Sequence, residues 1–154
     1  MNLRLIQFGK SKDAWLLEAL AEYQKRLQAF CKLEILELPD ESLKHNPSPA
    51  QVMDKEAVLC LQKLNRDDYL ILLDERGQQK SSLEFSSFLT NISDRQNVVF
   101  VIGGVFGTSE VLKARADFLL SLSAMTFTHR FARLILIEQV YRAMMIKNNR
   151  SYHY

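Results

Sequence analysis

The run NVVFVIGGVFG, residues 97–107, constrains the fold more than any other segment. Its apolar residues from Val98 to Ile102 follow one another without polar alternation, which reads as a strand buried on both faces. The strand runs straight into Gly103-Gly104, with Gly107 three residues on. YLILLD (69–74) has the same character and is followed by the turn-like Glu75-Arg76-Gly77. Strands of this kind belong to a mostly parallel sheet flanked by helices.

The rest of the chain supplies the alternation such a sheet needs. LRLIQF (3–8) reads as a first strand ended by Gly9. Asp13 is placed to cap a helix in which Trp15, Leu16, Ala19, Leu20, Tyr23, Leu27 and Phe30 recur at helical spacing. LEILEL (33–38) alternates apolar and acidic residues, as a strand near a sheet edge would. Residues 39–49 are loop-rich, and Ser48-Pro49 reads as an N-cap with proline at the first helical position, opening a helix to about Leu64. Ser81-Ser82-Leu83-Glu84 matches a capping box. A short helix is expected from Thr108 or Ser109, a fifth strand at DFLLSLS (117–123), and a last helix over 131–148. No repeat, low-complexity run or linker divides the chain, so residues 1–154 are expected to form one α/β domain.

An apolar content of 47% with 25% charged residues excludes wholesale disorder. The apolar stretch around Leu134–Ile137 is interrupted by Arg133 and Glu138, so no membrane span is expected. The N-terminus is strand-like rather than a signal peptide. Cys31 and Cys60 have no metal or redox spacing and are read as reduced thiols buried in helical surroundings, and the expected location is cytoplasmic.

Familiar nucleotide motifs fail. Gly9-Lys10-Ser11 resembles the end of a phosphate loop, but the required upstream glycine is replaced by Arg4. Gly103-Gly104-Val105-Phe106-Gly107 has the wrong spacing for a dinucleotide fingerprint. His45, His129 and His153 are too dispersed for a metal site, and no nucleophilic triad is readable. The glycines do stand at a strand's carboxyl end, where open α/β sheets bind ligands, and glycine lets a ligand approach main chain closely. A tight turn without ligand has the same spacing. From Thr126 onward, Arg130, Arg133, Arg142, Lys147 and Arg150 face a single acid, Glu138. That excess fits either a polyanion site or a solvated basic helix face. The last helix is apolar on more than one face, which fits either a homodimer contact or burial within its own protomer.

LLDERG, FVIGG-x-x-G, LSLSAMTFTH, R-x-x-x-x-EQ-x-YRA and the terminal N-x-x-YH occur in this order over nearly the whole chain. Together they resemble the H family of bacterial ribosomal RNA large-subunit methyltransferases, within the SPOUT superfamily. The resemblance implies a C-terminal deep trefoil knot, an exception to the rule that chains do not thread loops. It implies methylation of N3 of a pseudouridine in 23S rRNA, with the assembled ribosome as substrate. S-adenosylmethionine would be held by Leu73, by Gly103 and Gly104, and by the loop Leu122, Ser123, Ala124, Met125, Thr126 and Phe127. Arg130, Arg133, Arg150 and Tyr152 would face RNA, across a homodimer interface that completes the site. His153 and His129 are the candidate bases and Arg142 the candidate stabiliser of negative charge on the base. Neither a metal nor a membrane is implied. The chain departs from the family pattern at Val105, where proline or alanine is common, and in its tail, where Ser151 precedes Tyr152 and Tyr154 ends the chain. An alternative from another class is a non-catalytic ribosome-associated RNA-binding protein that keeps the fold. A different nucleotide-dependent enzyme on a doubly wound sheet is a third, set against the failed fingerprints.

Overall fold

A computed structural model describes residues 1–45, 47–95 and 97–154. Asn46, in the loop-rich stretch expected at 39–49, lies outside the described residues. The elements are β1 (Asn2–Phe8), α1 (Ala14–Leu27), β2 (Lys32–Leu38), a 3-10 turn (Glu41–Leu43), α2 (Pro49–Leu61), β3 (Tyr69–Gln79), α3 (Ser82–Asn91), β4 (Asn97–Ile102), α4 (Glu110–Arg115), β5 (Phe118–Ser121) and α5 (His129–Lys147). Among the described residues, no helix is long and apolar enough to cross a membrane.

The five strands form one parallel sheet in the order β2-β1-β4-β3-β5. The all-apolar β4 is central, and its pleat sends alternate residues to opposite cores. Val98, Phe100 and Ile102 join Leu3, Leu5 and Ile71 beneath α1, α3 and α5. Val99 and Val101 join Ile6, Phe8, Leu70 and Leu72 beneath α2 and α4. Both faces are therefore covered, as continuous apolar strands require. β2 is an edge strand, its Glu34 and Glu37 exposed and Glu34 paired with Arg4 at 3.1 Å.

Helix starts follow their caps. Ser81 Oγ accepts from the Glu84 amide at 3.2 Å, while the Ser81 amide donates to Glu84 Oε2 at 2.7 Å. Ser48 and Gln51 form a second such box, and Ser109 and Thr128 cap α4 and α5. Asp13 precedes α1 without capping it; its carboxylate instead stands 3.3 Å from Arg130.

Three expectations are corrected. Glu75-Arg76-Gly77 does not end β3, which runs on to Gln79 with its register against β5 shifted between Leu73 and Gln78. Gly77 marks close backbone approach instead, since a Cβ there would stand 2.6 Å from the Leu119 carbonyl oxygen. α5 begins at His129, two residues before the expected start, because Thr128 supplies the cap. Cys31 follows the end of α1 and is only half-buried, whereas Cys60 is fully buried in α2 and burial pushes its thiol up to about 12. α5 packs its apolar residues, Leu136, Ile137, Val140 and Met144 among them, into its own protomer's core.

Candidate functional site

The strands β4, β3 and β5 are neighbours, so their carboxyl ends open on one place. There a cleft of about 1020 Å³ is lined by the loops that follow β4 and β5, by the irregular stretch of β3 from Leu73 to Arg76, and by the first turn of α5. Of the expected cofactor residues, Leu73, Gly103, Gly104, Leu122, Ser123, Met125, Thr126 and Phe127 line it. Ala124 belongs to the same loop but not to the lining. His129 and Arg130 stand at the cleft as well.

Each loop is shaped locally. Gly103 has no room for a side chain: a Cβ would stand 2.7 Å from Thr108 Cγ2 and 3.0 Å from the Gly107 backbone. Gly107 closes the turn with φ +81, donating to the Gly104 carbonyl at 3.1 Å. Thr126 Oγ1 donates to Glu75 Oε2 at 2.9 Å, tying the loop after β5 to the bulge of β3. The Met125 amide donates to Ser123 Oγ at 3.0 Å. The Ser123 carbonyl accepts from Ser121 Oγ at 3.0 Å, and among the described residues no backbone-to-backbone hydrogen bond engages 123–127. These features fit a ligand gripped by main-chain donors and acceptors. Lys113 stands 3.3 Å from Asp74 at the rim.

His129 is held below the usual imidazole range by burial and by the nearby Arg133 and Arg130 cations. It is therefore neutral at pH 7 and able to accept a proton.

The other expected site residues are not at the cleft. Arg142 lies on α5 thirteen positions beyond His129, about 20 Å away at 1.5 Å per residue. Its Nε donates to Glu138 Oε1 at 3.1 Å, and its Nη1 stands 3.3 Å from His153 Nδ1. The Tyr152 hydroxyl donates to Glu138 Oε1 at 3.1 Å and stands 3.3 Å from the Tyr23 hydroxyl, with the Arg142 guanidinium 4.8 Å from its ring centroid. Arg142, Tyr152 and His153 thus form one cluster, remote from the cleft within a protomer. Arg150 lies over Phe30 at 5.3 Å. Arg133 is corrected outright as an RNA-facing residue. It is 1% exposed, and its guanidinium is committed to the Phe8 and Gly9 carbonyls and to Ser11 Oγ.

Sequence reasoning places Trp15 in an apolar helix stripe. The structure leaves it 47% exposed at the cleft, stacked on Phe131 with ring centroids 5.3 Å apart. Leu16, next to it in the same first turn, is fully buried, so no local signal in the sequence separates the two.

A family model described as predicted SPOUT methyltransferase matches residues 1–153. The chain belongs to this family. It is 42% identical over 158 aligned residues to ribosomal RNA large subunit methyltransferase H 1 of Clostridium perfringens, covering 99% of both chains. The same identity and coverage hold for ribosomal RNA large subunit methyltransferase H of Streptococcus equi subsp. zooepidemicus and of Bacillus thuringiensis. The family is one of methyltransferases, and the cleft lies at the strand ends where α/β sheets bind their ligands.

Proposed function

We propose that this chain methylates N3 of a pseudouridine in the 23S rRNA of the assembled ribosome, using S-adenosylmethionine bound in the cleft at the ends of β3, β4 and β5. The observation that carries the reading is the cleft lined by Gly103-Gly104 and by the loop after β5, in a chain alike over its full length to methyltransferases named for large-subunit rRNA. When bound, S-adenosylmethionine supplies an electrophilic methyl carbon on a cationic sulfur. Leu73 and the loop 122–127 would hold it through backbone groups, and Gly103 and Gly104 would let it approach. Much of the remaining task is to hold the acceptor nitrogen in attack geometry. That nitrogen must also lose its proton, and neutral His129 at the cleft is suited to take it.

The second group of residues requires a second subunit. Arg142 lies about 20 Å from His129 along α5, with Tyr152 and His153 of the tail gathered on it, so a homodimer that sets one protomer's tail against its partner's cleft would complete the site. Arg130 and Arg150, both exposed, would hold RNA phosphates and Arg142 would stabilise charge on the base. A deep trefoil knot is part of the same proposal. In its support, β5 follows β4 in sequence yet lies beyond β3 in the sheet, so the chain crosses the end of β3.

The test is methyl incorporation from labelled S-adenosylmethionine into 70S particles with and without the pseudouridine, followed by nucleotide mapping. Label confined to N3 of one pseudouridine is expected. Equal incorporation without the pseudouridine, or none in either particle, overturns the reading.

A further inference from the structure

Glu56, on α2, is 2% exposed, and neither carboxyl oxygen has a hydrogen-bond partner among the described residues. The carboxyl lies against Gly104: a Cβ built on that glycine would stand 2.5 Å from Glu56 Oε1 and 2.7 Å from Oε2. Gly104 also lines the cleft. One glycine, with no side chain to screen it, therefore separates an unpartnered buried carboxyl from the ligand volume. We propose, resting on the methyl-donor reading of that cleft, that Glu56 is the counter-charge by which the site distinguishes a cationic sulfonium donor from its neutral thioether product.

The surroundings explain why this carboxyl responds to a ligand. A buried carboxylate with no partner is costly and takes a proton instead. Burial first, and then the Asp40 and Glu41 carboxylates, push Glu56 up to about 7. The cations nearby are committed elsewhere. Lys44 pairs with Glu41 at 2.8 Å, and the two terminal nitrogens of Arg133 bond Phe8, Gly9 and Ser11. His129, which shares Asp40 as a neighbour, is held neutral. A positive charge arriving beyond Gly104 is the one partner the site lacks, and it favours the ionised carboxyl. Donor binding then releases a proton near neutral pH. By linkage, donor affinity climbs as pH rises through that range, while product affinity stays flat.

Calorimetric titration of the full chain with S-adenosylmethionine and with S-adenosylhomocysteine, at pH 6, 7 and 8 and in two buffers of different ionisation enthalpy, tests this. The expected result is proton release near pH 7 with the donor and none with the product, and a donor preference that grows about tenfold from pH 6 to pH 8. Glu56→Gln abolishes both effects while still binding product; His129→Asn leaves the release in place. Equal release with both ligands, loss of the release in His129→Asn, or its persistence in Glu56→Gln overturns the inference and leaves the methyl-donor reading standing. Should neither ligand bind the unaltered protein, that reading falls and the inference with it. Should Glu56→Gln not fold, the donor–product comparison in the unaltered protein and in His129→Asn decides.

Discussion

Arg133 of α5 donates to the carbonyl oxygen of Phe8 at the end of β1, 2.7 Å away and 125 residues earlier in the chain. The same guanidinium reaches the Gly9 carbonyl at 3.3 Å and Ser11 Oγ at 3.0 Å. Glu37 supports this turn from β2, accepting from the Ser11 amide at 2.8 Å and from Gln7 Nε2 at 3.1 Å. The turn leads into α1, whose Trp15 stacks on Phe131 beside the cleft. A buried charge thus fixes the two helices that frame the cleft mouth.

Arg133→Met should therefore destabilise the protein by about 3 kcal/mol, because it strands buried carbonyl groups that water cannot reach. Arg133→Lys keeps the charge but loses the planar fork that spans three acceptors, and should fall between the two. Urea unfolding of the three proteins measures the order; a loss below about 0.5 kcal/mol for the methionine variant contradicts the role.

Glu56 makes stability depend on pH in a direction opposite to that of a paired carboxylate. Its folded value of about 7 lies above the ordinary 4.5, so between these values the folded chain binds more protons than the unfolded one. Stability then falls as pH rises through that window, and the group's favourable contribution is complete only below it. Glu56→Gln removes the titration and should gain on the order of 2 kcal/mol over the native chain at pH 8, with little difference near pH 5. Thermal unfolding across that range reads the crossover, and a pH-independent difference contradicts the assignment.

The glycines of the loop after β4 should separate by mechanism. Gly103→Ala drives a methyl group into Thr108 Cγ2 and the Gly107 backbone, so the loop must move. Donor affinity should fall about tenfold, with a stability loss of about 1–3 kcal/mol from overpacking. Gly107→Ala meets nothing within 4 Å but sits at φ +81. It should cost about 1 kcal/mol of backbone strain and change donor affinity far less. Calorimetry and thermal unfolding on both variants distinguish the cases, and equal losses of affinity contradict the distinction.

The parts of this architecture legible in the sequence are those set by local pattern. Val98 to Ile102 announces a two-faced strand, Ser81 and Glu84 announce a helix start, and the alternation of β2 announces an edge. The cleft loops are legible for the same reason, because strand ends and glycines mark them. Tertiary approach is what local pattern does not carry. Gly77 reads as a turn residue, yet it is required by the Leu119 carbonyl. Arg133 sits in a basic stretch and reads as a polyanion contact, until Phe8 and Gly9 bring their carbonyls to it. Nothing in PAQVMDKEAVLC marks Glu56 for burial; it is the return of the chain at Gly104 that brings backbone against its carboxyl.

Glu138 gives the sharpest test of a two-subunit site, because it organises the tail without touching the cleft. It accepts from Arg142 and from the Tyr152 hydroxyl, and Tyr152 is pushed above the usual phenol range by burial, by Tyr23 and by Glu138. Glu138→Ala should cost about 1–2 kcal/mol in stability, since the pair with Arg142 is largely buried and Tyr152 loses its acceptor. It should nevertheless raise amide exchange at residues 150–154, since the tail loses its anchor. Donor affinity, set about 14 Å away along α5 in the same protomer, should not change, while single-turnover methylation of the ribosome should fall at least tenfold. That split is what a tail acting on RNA at its partner's cleft predicts. Mixing Glu138→Ala chains with chains carrying Gly103→Ala then supplies the decisive comparison. Mixed dimers retain one intact cleft facing one intact tail and should recover part of the activity, whereas recovery absent at every mixing ratio contradicts a shared site.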